Sequence, residues 1–197
     1  VVFIAATTDK GLLSDAFVSR MDLIPLADYS LDAWAGIIWL HGRKLFGGFA
    51  LAREICVEVA ARNRCNPRRA VRSLENDLLA QFYSQLPDNR RERKNAERAA
   101  AELMTHDSVA AYYDAHGIDL NGLDDQARRT LEYLRSHGPT PEDRLCRGVR
   151  ISNRADFVEL IEYLSRLGLV GTGHSGRSLT ATGRSYLAQA ADLPSRI

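Results

Sequence analysis

Nowhere in the 197 residues does Gly-x-x-x-x-Gly-Lys-Ser/Thr occur, so the chain has no loop of that type with which to cradle a nucleoside triphosphate. Histidine is sparse, and His41, His106, His116, His137 and His174 show no metal-ligand spacing, so no metal site is expected. Ser14, Ser19 and Ser175 lack the Gly-x-Ser-x-Gly context of a nucleophile elbow. A self-contained enzyme is therefore not expected. Cysteine is limited to Cys56, Cys65 and Cys146, which are far apart and odd in number. They make neither a disulfide framework nor a zinc pattern, and a reducing, cytoplasmic compartment is the simplest reading. No apolar run reaches the roughly 20 residues needed to span a membrane, and no secretory leader pattern opens the chain.

Lysine is nearly absent. Lys10, Lys44 and Lys94 stand against 23 arginines, although the net charge is only +1. Arginine suits bidentate phosphate contacts better than lysine; a bias in genomic base composition produces the same excess. Apolar content of 45% and charged content of 26% are ordinary for a soluble globular chain, and the length suggests one to two domains.

The stretch around which the rest is organised is Arg64-Cys65-Asn66-Pro67-Arg68-Arg69. Asn66 suits an N-cap and Pro67 the first helical position, with Val71, Leu74, Leu78 and Phe82 following at helical spacing. Arg68 and Arg69 then stand at a helix N-terminus, where the dipole disfavours a cation unless an anion is close. They are either solvated or placed to meet a phosphate.

Residues 1–6 form a continuous apolar run that reads as a buried strand of a parallel sheet. Its partner strands do not follow, so the sequence is expected to be part of a longer protein. Thr7 and Thr8 fall at that strand's C-terminal end, where open α/β sheets contact ligands. A short helix over Leu12 to Ser19 delivers Arg20, and residues 23–26, interrupted by Pro25, read as an edge strand or extended segment.

The middle third is helical. One helix starts after Ser30, with Leu31, Trp34, Ala35, Ile38 and Trp39 inward, and stops at Gly47-Gly48. A second covers about residues 49–63 with Ile55 and Val59 inward. The Asn66 helix runs to about Pro87, and another spans about 95–116 with a break near Thr105. The charge run 90–94 reads as a solvated face or linker, or else as a nucleic-acid contact.

The last third reads helix, helix, helix, hairpin, helix. Asp124 caps the first helix and Gly138 ends it; a short helix surrounds Arg144; Ser152 or Asn153 caps the third, which Gly168 ends. Leu169-Val170 and residues 177–180 flank a Gly/Ser-rich turn, and a final helix spans about 182–190. This is the plan of a winged helix-turn-helix. Residues 144–184 hold seven arginines against three acids, a basic footprint in which Arg154, Arg177 and Arg184 are the candidate DNA contacts. The competing reading is a winged helix used for protein contact.

The segment Phe3-Ile4-Ala5-Ala6-Thr7-Thr8-Asp9-Lys10-Gly11-Leu12-Leu13-Ser14, with Ser19-Arg20, resembles the end of an AAA+ ATPase core, in particular that of the Holliday-junction branch-migration motors of the RuvB type. The resemblance continues in order through Asn66-Pro67-Arg68, residues 117–124 and Leu167-Gly168-Leu169-Val170. It implies a mainly α chain: residues 1–27 as the end of the AAA+ core, 28–118 as a helical lid, and 119–197 as a winged-helix DNA-binding domain. It further implies Thr8 as first sensor, Arg20 as an arginine finger acting on a neighbouring subunit's nucleotide, and Arg68 as second sensor. Arg177 matches an arginine that the family directs at DNA. ATP and Mg2+ in the full-length protein, a homo-oligomeric ring, DNA and a junction-binding partner protein follow from the same resemblance. Met21-Asp22 departs from the family's Phe-Gly after the finger, and Thr172 and Ser175 stand where arginines are usual. An AAA+ replication initiator or clamp-loader relative, and a stand-alone winged-helix regulator, are the alternatives.

Overall fold

The computed structural model describes residues 14–22, 29–64, 66–91 and 96–191. The expected strand at 1–6, Thr8 and the run at 23–26 lie outside the described residues. The chain divides into two compact units, Val1–Ser30 and Leu31–Ile197. In the first, a one-turn helix, α1 (Asp15–Val18), leads into a turn in which the Met21 amide donates to the Val18 carbonyl. Arg20 sits exposed on that turn.

Among its described residues, the second unit's regular structure is helical apart from one small hairpin. Helices α2 (Leu31–Leu45) and α3 (Arg53–Arg62) pack Ala35, Ile38, Ile55 and Val59 into a first apolar cluster. Trp34 and Trp39 are partly buried against the same cluster. Leu31 has the phase of the buried stripe but occupies the helix's first position and is 40% exposed. Gly47 and Gly48 follow α2 with φ of 59° and 89°, as expected for a helix stop.

The organising helix departs from the sequence expectation in one respect. It begins as α4 (Pro67–Arg72), passes through a π-helical segment (Ser73–Leu78) and ends as α5 (Leu79–Ser84). Its buried stripe is Ala70, Leu74, Leu78 and Phe82, so Ala70 replaces Val71 on the inner face. A four-residue repeat drifts by about 40° per step on an ordinary α-helix. The wider π turn absorbs part of that drift and keeps the stripe on the core. A short helix α6 (Asp88–Arg91), then α7 (Ala96–Glu102) and α8 (His106–Ala115), complete this part. Thr105 caps α8 reciprocally with Ser108, which accounts for the expected break.

Tyr113 of α8 lies at the heart of the cluster, its hydroxyl 3.1 Å from Ser73 Oγ and accepting from Asn63 Nδ2 at 2.9 Å. Burial pushes its phenol up to about 12, and pushes the Cys56 thiol up to about 11. The folded state therefore keeps protons that the unfolded chain releases near pH 9–10. Stability is expected to be full below about pH 9 and to decline by about 2–3 kcal/mol on Tyr113's account as pH rises towards 12. Urea midpoints measured from pH 8 upward check this.

The last third builds a second apolar cluster from α9 (Asp125–His137), α10 (Glu142–Gly148), α11 (Arg154–Arg166), the strands β1 (Val170–Gly173) and β2 (Gly176–Leu179), and α12 (Ala181–Ala191). Ala127, Leu131, Leu134, Phe157, Leu160, Ile161 and Leu164 are buried as their spacing requires. Asp124 and Asn153 cap α9 and α11 by accepting the Ala127 and Ala155 amides. The strands pair antiparallel, Val170 opposite Leu179. Gly176 has φ of 112°, and a Cβ there would sit 2.3 Å from the Thr140 carbonyl oxygen, so only glycine lets the hairpin lie against the Thr140 backbone.

Candidate functional site

Asn66 Oδ1 accepts from the Arg68 and Arg69 amides at 3.0 and 3.2 Å, fixing the start of α4. This leaves the Arg68 guanidinium exposed at the helix mouth. Arg69 is turned to Glu159 of α11, 3.7 Å away. Arg64, just upstream, points inward. Its side chain is 6% exposed, with Nε donating to the Gly122 carbonyl at 3.0 Å and Nη2 to Asp124 at 2.5 Å. Burial lowers the Arg64 guanidinium below its ordinary range, and the Asp124 carboxylate opposes that shift. Arg64 is thus spent internally and Arg69 leans on Glu159, whereas the Arg68 guanidinium stays exposed at the helix mouth.

The three arginines expected to face DNA all lie on the last third, and each makes an internal contact. Arg177, on β2, donates from Nε to Glu142 Oε1 at 2.8 Å, with Nη2 at 2.7 Å from the same oxygen and Nη1 against the Thr172 hydroxyl. Arg154, the first residue of α11, pairs with Asp143, which raises its guanidinium further above the ordinary range. Arg184, on α12, donates to the Leu179 carbonyl at 3.1 Å. Glu142 and Asp143 are consecutive at the start of α10, where acids also suit the helix dipole. Sequence reasoning missed them as functional residues; their one signal was adjacency to Pro141 in an otherwise basic stretch. Thr172, one of the departures noted above, occupies the position that holds Arg177's remaining nitrogen.

Among the described residues no three His, Cys, Asp or Glu side chains cluster as a metal site. No helix there is long and apolar enough to cross a membrane.

Comparison with known proteins adds an independent line. No family model matches the chain. It is 33% identical over 190 residues to the Holliday junction branch migration complex subunit RuvB of Synechococcus sp. (strain WH7803), covering 93% of this chain and 47% of that protein. The RuvB subunit of Mycobacterium tuberculosis (strain ATCC 25177 / H37Ra) is 30% identical over 195 residues, covering 93% and 50%. The structure of the Thermotoga maritima RuvB Holliday junction branch migration motor superposes on 90% of this chain and 55% of that one, with a TM-score of 0.67 and 23% identity. A point mutant of the same protein gives a TM-score of 0.70. The chain spans about half the length of the curated relatives it matches.

Proposed function

We propose that this chain, a relative of the C-terminal part of the RuvB branch-migration subunits, contributes nucleotide sensing and DNA contact to an ATP-dependent DNA motor. Residues 28–118 act as the helical lid and residues 119–197 as a winged helix, with β1 and β2 as the wing. The observation that supports the reading is the likeness to a RuvB subunit along 93% of the chain, over which the turn carrying Arg20, a helical bundle and a three-helix-plus-hairpin unit follow one another. The likeness to branch-migration subunits, not the order of elements, favours a motor over an initiator or a stand-alone regulator.

The phosphate chemistry is divided among positions that each lack a phosphate-cradling loop. Arg68, exposed beside capped amides at the start of α4, fits a contact with nucleotide phosphate. Arg20 acts as a finger towards a neighbouring subunit's nucleotide and Thr8 as the first sensor. A finger supplied in trans needs a second chain at the nucleotide, which on this reading is the next subunit of a homo-oligomeric ring, and is worth roughly 10³–10⁵ in rate. Mg2+-ATP supplies the phosphoryl group when bound; the chain's own residues sense its charge. A junction-binding partner protein loads the ring, and the setting is cytoplasmic.

On the DNA side, Arg154, Arg177 and Arg184 form the contact surface, exchanging their internal partners for phosphates. Fluorescence anisotropy with a labelled duplex and a labelled four-way junction tests this at about 50 and about 200 mM salt. Binding at the lower salt that weakens steeply at the higher, and that disappears in the triple alanine variant of Arg154, Arg177 and Arg184, is expected. No binding at the lower salt overturns the DNA role.

A further inference from the structure

We propose that Glu159 is a positioning residue that ties the cap of the Arg68 helix to α11, so that nucleotide sensing and DNA contact move together. The inference rests on the roles proposed above for Arg68 and Arg154. Its basis is a set of contacts converging on residues 64–69 from the last third of the chain.

Asn66 is used at both ends. Its Oδ1 holds the Arg68 and Arg69 amides, and its Nδ2 donates to Glu159 Oε1 at 3.1 Å. Since the amide oxygen is committed to the cap, the amide nitrogen must face Glu159. Arg69 approaches the same carboxylate at 3.7 Å. One residue group upstream, Arg64 is held at φ of 59°, a left-handed conformation that a non-glycine residue adopts at a cost of about 1–3 kcal/mol. That conformation drives its guanidinium onto Gly122 and onto Asp124, the cap of α9. Gly122 itself has φ of 67°, and a Cβ there would lie 2.8 Å from the Ala61 carbonyl oxygen and 2.9 Å from that of Arg62. The connecting segment is therefore pressed against the end of α3. On its other side, the Tyr163 hydroxyl of α11 donates to the Asn121 carbonyl at 2.6 Å.

Residues 64–69 are thus clasped between the 119–124 segment and α11. Glu159 lies on the same helix that begins with Arg154 and Asp143's ion pair. A shift of Arg68 towards a phosphate pulls Asn66, and with it Glu159 and α11. By reciprocity, DNA engaged at Arg154 tightens the Asn66 cap.

Residue-resolved amide exchange on the 197-residue chain, alone and with saturating duplex, tests the tie. Without DNA, Glu159→Ala is expected to speed exchange of the Arg68 and Arg69 amides about tenfold, while the α8 amides keep their rates. Duplex is expected to slow exchange at Arg68 and Arg69 in the parent chain, to leave it unchanged in Glu159→Ala, and to slow it again in Glu159→Gln, whose carbonyl still accepts from Asn66. Unchanged exchange in Glu159→Ala without DNA overturns the tie, whatever the DNA does. A duplex response that survives in Glu159→Ala, or is missing from the parent chain although the anisotropy titration shows binding, overturns the coupling. A parent chain that binds no duplex in that titration overturns the DNA role and the coupling together, and the exchange without DNA still decides the tie.

Discussion

Arg62→Leu is expected to lower the unfolding free energy of the first core by about 3–5 kcal/mol. Arg62 is almost fully enclosed. Its Nε donates to Glu58 Oε1 and its Nη1 to Asp114 Oδ1, each at 2.8 Å, and Nη1 also meets the Ile118 carbonyl. Glu58 is itself 9% exposed, with His106 3.7 Å from its second oxygen. Leucine would leave that carboxylate enclosed without its main partner, and a charge stranded in a poorly polarisable interior costs far more than the pair contributes. The paired change Glu58→Leu with Arg62→Leu is expected to recover most of the loss, because it removes both charges at once. Trp34 and Trp39 pack against this core, so their fluorescence during urea denaturation reports the relevant transition. A single-variant loss under about 1 kcal/mol would show the pair to be solvated in solution.

The paired change Glu142→Gln with Asp143→Asn is expected to tighten duplex binding about tenfold at low salt and to steepen its salt dependence, because two carboxylates leave the face that meets the phosphates. Glu142 and Asp143 occupy Arg177 and Arg154 as phosphates would. On the proposed DNA role, a phosphate displaces each carboxylate, so part of each arginine's attraction is spent on breaking an ion pair already made. Neutral amides keep the shape and hydrogen-bonding capacity of the acids but relinquish the guanidinium groups more readily. Anisotropy titrations across salt concentrations measure both quantities together. An unchanged affinity and slope would mean that these two arginines do not reach DNA phosphates.

How much of this was legible in advance depended on the range of the interaction. Asn66, Asp124 and Asn153 were readable as caps because a cap is a contact between residues two or three apart. The buried faces of α9 and α11 were readable because helical periodicity is local. The π segment was not, since the stripe of Ala70, Leu74, Leu78 and Phe82 is chosen by what the core offers, and spacing alone fitted Val71 as well. Arginine content pointed to phosphate, and chain order to the relatives.

What the linear chain determined, then, is the helices, the hairpin, their sequence, and the types of side chain near each turn. Tertiary structure alone decided which arginines have charge to spare. Arg62 and Arg64 look as basic as Arg68 on paper, yet they are enclosed by Glu58, Asp114 and Asp124, whereas Arg68 faces outward. Arg177 and Arg154 meet acids 35 and 11 residues away. The physical reason is that a guanidinium's availability depends on the nearest carboxylate in space, and folding, not spacing along the chain, sets that distance.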